Sequence, residues 1–222
     1  MKKLLFTMSI LSVMLYFFWL SLAQAKTPPL PSGTTTLFAG SGVCARCHDN
    51  LIDQNGTDVS PVIMWRSTMM ANPATDPLWR AKVSAEVAEL PHLQAAIEEK
   101  CIKCHSPILY KQSEFDGLTW SIADLENNRL ARDGDSCTVC HQIQPANFGT
   151  KTSFSPGFEI DDRREIYGPY DNPPLNPMLK NTNYTPKPAY PTSSYVLNDS
   201  EHCATCHTLF TSYVDAKDNL KG

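Results

Sequence analysis

Every cysteine in the chain lies in a Cys-x-x-Cys-His motif, and the motif occurs four times. The copies are Cys44-Ala45-Arg46-Cys47-His48, Cys101-Ile102-Lys103-Cys104-His105, Cys137-Thr138-Val139-Cys140-His141 and Cys203-Ala204-Thr205-Cys206-His207. Cysteines three positions apart lie about one turn apart on a helix, so both sulfurs can reach one edge of a planar macrocycle. The histidine that follows then reaches a central metal from the same side. Two thioether bonds to porphyrin vinyl groups plus a histidine on the iron is the attachment chemistry of c-type haem. Eight cysteines in an oxidising compartment would otherwise suggest disulfides, and Cys-x-x-Cys pairs also bind zinc. Neither explains a histidine directly after each pair. The expected cofactor is therefore haem c, four per chain, with His48, His105, His141 and His207 as proximal iron ligands.

The start of the chain agrees with export. Lys2 and Lys3 precede an apolar run from Leu4 to Leu22, and Ala23-Gln24-Ala25 follows as a small-x-small cleavage site, so residues 1–25 read as a signal peptide. An apolar run of about nineteen residues is also long enough for a retained membrane anchor. The cleavage site, and the lack of a basic cluster just after Lys26, favour removal. Cleavage leaves 222 − 25 = 197 residues and takes the formal charge from −4 to −6. The expected location is the periplasm or cell exterior of a bacterium, with membrane contact only through an uncleaved signal. There is no basic stripe and no aromatic–basic interleaving, which excludes a nucleic-acid partner. A chain of this length ordinarily buries one sizeable core, but at roughly fifty residues per haem the haems themselves are expected to form most of it. Folding is then expected to depend on them.

Residues 26–37 read as a leader or linker and 38–222 as a tetrahaem domain, mainly α with long irregular loops wrapped around stacked haems. Ser60-Pro61 signals a helix start, running towards Met70 and ending before Pro73. Asp76-Pro77 repeats that signal, and Trp79, Val83, Val87 and Leu90 share one helical face. Pro91 breaks this helix and opens another, 92–100, which delivers Cys101. Residues 121–130 read as a short polar helix. Nine prolines between 142 and 198 predict a long irregular segment, with a hairpin near 154–160. Asp199-Ser200 caps a last helix into Cys203. Residues 215–222 read as a strand–turn–strand connection cut at its middle, the expectation for a chain shortened at its C-terminus.

Several segments beyond the motifs carry a resemblance: Met64-Trp-Arg-Ser-Thr-Met-Met-Ala-Asn72, Asp76-Pro-Leu-Trp79, Ile97-Glu-Glu-Lys-Cys101, Asp133-Gly-Asp-Ser-Cys137 and Ser200-Glu-His-Cys203. With their motifs they are similar to the multihaem cytochrome c family that includes the tetrahaem electron acceptor of hydroxylamine oxidoreductase. The resemblance spans most of 38–210 and implies a mostly helical fold, haems stacked in close pairs, and electron transfer outside the cytoplasm. Two departures matter. Met70 stands where relatives often carry a distal histidine. Relatives also often have a histidine a few residues before the fourth motif, where this chain has Tyr195 and Val196, with His202 directly before Cys203 instead.

Six histidines serve four irons, so only His92 and His202 are spare. Four bis-histidine haems cannot be built from one chain. Candidate sixth ligands are His92, His202 and Met70, with Met64, Met69 and Tyr195 behind them. Methionine–histidine ligation raises the potential relative to bis-histidine, and an iron with no sixth ligand could bind a small molecule. The leading function is electron transfer to redox partner proteins, such as other cytochromes or a quinol- or hydroxylamine-type oxidoreductase. The alternatives are a haem enzyme acting on a small nitrogen or sulfur compound, with Arg66, Arg80 or Tyr195 on the distal side, and a subunit of an extracellular haem filament, which would make the protein an oligomer.

Overall fold

The structure, a computed structural model, describes residues 29–145, 147–188 and 200–221. The signal segment, Tyr195, Val196 and Asp199 lie outside these residues. The fold is mainly α with irregular loops: α1 (Ser41–His48), α2 (Pro61–Arg66), α3 (Pro77–Glu89), α4 (Gln94–His105), α5 (Pro107–Asp116), α6 (Cys137–Cys140), α7 (Leu175–Thr182) and α8 (Ser200–His207). Strands β1 (Glu165–Tyr167) and β2 (Thr185–Lys187) pair in parallel around α7, and β3 (Tyr213–Val214) and β4 (Leu220–Lys221) form an antiparallel hairpin. No helix among the described residues is long and apolar enough to cross a membrane.

Helix starts follow local chemistry. Asp76 caps α3 by accepting a hydrogen bond from Leu78 N, and Pro77 occupies the first turn, where its missing N–H costs nothing. Pro91 ends that register, and a 3-10 turn (Pro91–Leu93) leads into α4. The predicted run from Ser60 to Met70 is shorter than expected. α2 stops at Arg66, the Ser67 and Thr68 hydroxyls bond back to Met64 O and Trp65 O, and a separate 3-10 turn holds Met69–Ala71. Residues 121–130 hold only the 3-10 turn Ile122–Leu125, closed by a capping box between Ser121 and Asp124. No hairpin forms at 154–160. Ser155 takes a left-handed φ of 61°, Gly157 N bonds back to Ser153 O, and the segment turns instead of extending. At the C-terminal end both strands of the predicted connection are present, closed by Asp215, whose carboxylate accepts from Lys217 N and Asn219 N.

The residues read as a linker contribute to the packed body from residue 29 on. Leu37 and Phe38 are fully buried and join Ile108, Val139, Ile143 and Phe158 in one apolar cluster. Gly42 N donates to Pro31 O, and Arg129 reaches Pro29 O. The extended stretch 37–39 runs through the interior. Its polar backbone is satisfied there by Gln142 Nε2 and the Tyr184 hydroxyl, which donate to Leu37 O, and by the Thr138 hydroxyl, which donates to Ala39 O. A second cluster gathers Trp79, Val83, Ile102, Leu109, Leu125 and Ala131, with Cys101 against it. Arg164 ties the outer layer down: its guanidinium donates to Thr35 O and Thr36 O and lies 4.1 Å from the Tyr184 ring centroid.

Candidate haem attachment sites

Each motif sits at the end of a helix. α1, α4 and α8 end on His48, His105 and His207, and α6 ends at Cys140 with His141 as its C-cap. This places each cysteine pair one turn apart, with the histidine at the helix terminus, where its ring can swing clear of the last turn. None of the eight cysteines is joined to another in a disulfide; Cys47 and Cys203 are exposed and the other six are partly covered. Among the described residues no three His, Cys, Asp or Glu side chains converge as a bare metal ion would require.

Two imidazoles are held in the form that binds a metal. His105 Nδ1 lies 3.0 Å from Pro73 O, and His141 Nδ1 lies 2.7 Å from Tyr167 O. A carbonyl can only accept, so Nδ1 carries the proton and Nε2 is the unprotonated nitrogen of the ring. Burial holds both rings below the usual histidine range, favouring neutral imidazole. The His141 contact is reciprocal, since Tyr167 N donates to His141 O at 2.9 Å. These features, with thiol pairs a turn apart, fit covalent haem. The eight motif cysteines would hold it at its edges, and the four motif histidines would ligate iron.

The motifs are neighbours in space in an order that differs from the chain. The Cys137 thiol donates to Cys44, which lowers the Cys44 thiol against burial and raises that of Cys137. His48 and His141 also sense one another electrostatically. Cys140 lies within electrostatic range of Cys203 and Cys206, and Cys206 within range of Cys104. Burial pushes the Cys104 thiol up to about 11 and the Cys140 thiol up to about 12.

Two acidic residues in the loop before the third motif lie at the junctions. Asp133, 4 % exposed, accepts from Ser41 N at 2.6 Å and from Ser41 Oγ at 2.8 Å, and so caps α1 from a distance of 92 residues in sequence. Asp135 acts on Cys104, Cys140 and Cys206 together. Burial raises these carboxyls to about 6 and about 7 respectively. The sign for Asp133 follows directly. Its folded value lies above the usual carboxylate range, so it contributes stability that is present below about pH 4 and is lost as pH rises through 6. A rise from the ordinary value to about 6 corresponds to about 3 kcal/mol. Asp133→Asn, which preserves shape, should flatten this part of the stability–pH curve, measured by denaturant unfolding between pH 4 and 8; an unchanged slope would show that the carboxyl does not titrate there.

The candidate sixth ligands are scattered. His202 is buried at 6 % exposure beside Cys203, edge-on to the Phe148 ring at 5.8 Å. His92 is exposed, and its Nε2 donates to Asp218 O at 3.1 Å, so the β3–β4 turn already holds that nitrogen. Met70 is 43 % exposed, with Met64 and Met69 more so; the Met70 carbonyl, by contrast, is fixed by Asp135 N at 2.8 Å. Arg80 is committed to Glu126 and Ala74 O, and Tyr195 is not among the described residues. Asp133, Asp135 and the carbonyls of Pro73 and Tyr167 were not legible as site residues. Only the Asp-Gly-Asp-Ser run before Cys137 hinted at them.

No curated protein and no solved structure matches the chain. Residues 43–142, which contain the first three motifs, match the family model of cytochrome c554 and c-prime, a match that supports a multihaem c-type cytochrome with haem c as cofactor and electron transfer as activity.

Proposed function

We propose that the chain is an exported tetrahaem electron carrier. The carrying observation is that the four Cys-x-x-Cys-His motifs each close a helix, that α1 of the first packs against α6 of the third, and that the others lie within electrostatic range of one another, so that none is isolated. Haem c would supply reversible one-electron chemistry at iron. The chain's own residues do the rest. The eight motif cysteines anchor the edges, His48, His105, His141 and His207 present their imidazoles, and Pro73 O and Tyr167 O fix two of those rings. Such a series needs no catalytic side chain, and the commitment of Arg80 to Glu126 agrees with that.

For the sixth positions His202 is the better supported of the two spare histidines, because it is buried beside the fourth motif. His92 would have to give up its bond to Asp218 O. Met70 would have to turn its thioether inward from the surface. Partners are redox proteins outside the cytoplasm, and the resemblance makes a hydroxylamine-type oxidoreductase one donor to try. The mature protein should begin at Lys26 and carry four covalent haems. Intact-mass spectrometry under denaturing conditions reads both, since thioether bonds survive unfolding. A count below four would sink the proposal.

A further inference from the structure

Trp79 stands out at the second motif. It enters from the first turn of α3, which Asp76 and Pro77 start, and is 8 % exposed. Its indole lies flat on the His105 imidazole, with ring centroids 4.3 Å apart and planes 4° from parallel. The opposite constraint comes from the same stretch of chain, because Pro73 O accepts from His105 Nδ1. A ring pinned at one nitrogen and covered on one face has lost its rotation, so the direction of Nε2 is set before any metal is bound. The indole N–H is itself buried and makes no hydrogen bond among the described residues, so the ring is held by packing alone. Cys101 itself lies against the cluster that Trp79 belongs to.

We infer that Trp79 is a positioning residue for the second haem site, holding the His105 imidazole by stacking. The inference rests on the reading of the motifs as haem attachment sites. Groups that orient a metal-bound histidine tune the metal they never touch. Trp79 therefore acts on the haem through the histidine, with the Pro73 carbonyl fixing the same ring from its edge.

The test compares the holoprotein with Trp79→Phe and Trp79→Leu. Readouts are intact mass, EPR and a potentiometric titration resolving the four haems. Phenylalanine keeps an aromatic face on the imidazole; leucine removes it. The expected result is a shift confined to one haem, in its EPR signal and its midpoint potential, larger in the leucine variant and partly rescued by phenylalanine. Should the leucine variant fail to fold, Trp79→Met takes its place: a shift confined to one haem supports the inference, and four unchanged haems overturn it. A fully loaded leucine variant with all four haems unchanged overturns the inference alone, leaving Trp79 as core. Peptide mapping of the wild-type protein separates the two levels: no haem on Cys101 and Cys104 would remove the underlying reading and the inference with it.

Discussion

Replacing Cys101 and Cys104 together with serine should remove one haem and sharply lower the amount of protein that accumulates. The second motif does not sit at the edge of the fold. Cys101 packs against the cluster of Trp79, Val83, Ile102, Leu109, Leu125 and Ala131, and burial pushes the Cys104 thiol up to about 11. The helix that carries the motif, α4, is tied to its surroundings by Glu98, whose carboxylate accepts from Ile122 N at 3.0 Å and, within the helix, from Gln94 Nε2 at 2.6 Å. A haem held by Cys101 and Cys104 would be part of this packing, and its loss would leave a void far larger than a deleted side chain. Single large-to-small core changes already cost about 2–5 kcal/mol, a large share of a typical domain's stability. The measurements are haem stain, intact mass and yield of soluble protein. A variant that accumulates normally with three haems would show that the polypeptide packs without the second haem.

How much of this was readable from the sequence varies with the range of the interaction. The motif helices, the Asp76-Pro77 start and the Pro91 break follow from contacts within a few residues, and they appear as expected. The hairpin expected near 154–160 does not form; Phe158 and Ile160 pack with an apolar cluster, delivered by the left-handed turn at Ser155. Leu37 reads as linker because the stretch before it is rich in Pro, Thr and Ser. Its burial depends on Gln142 and Tyr184, 105 and 147 residues away, satisfying its carbonyl. The spatial order of the motifs was beyond reach for the same reason, since no periodicity encodes that Cys44 meets Cys137 before Cys101. Spare histidines could be counted but not placed. Burial distinguishes His202 from His92, and burial is set by Phe148 and by the β3–β4 turn, neither of which is close in sequence.

Gly134→Ala should destabilise the protein by about 3 kcal/mol or more and disturb two haem sites at once. Gly134 has φ 63° and ψ −147°, a region that essentially only glycine occupies. Space is equally restrictive. A Cβ there would lie 2.6 Å from Met70 O, 2.7 Å from Pro73 Cδ and 3.0 Å from Ala71 C, so the obstacle is mostly backbone and cannot rotate away. The crowding has a purpose in this fold. Asp135 N donates to Met70 O, and the Trp65 indole donates to Asp135 O at 2.8 Å, which locks the 65–73 segment onto the loop that starts the third motif. The far end of that segment is Pro73, whose carbonyl orients His105. Pushing the segment off Gly134 therefore moves the acceptor for the second motif's imidazole while straining the approach to Cys137. The expected outcome is a lowered denaturation midpoint together with altered EPR signals from the haems at the second and third motifs and unaltered signals from the fourth. A loss of stability with all signals intact would show that the loop and the segment adjust as one rigid piece, and that Gly134 serves packing without steering His105.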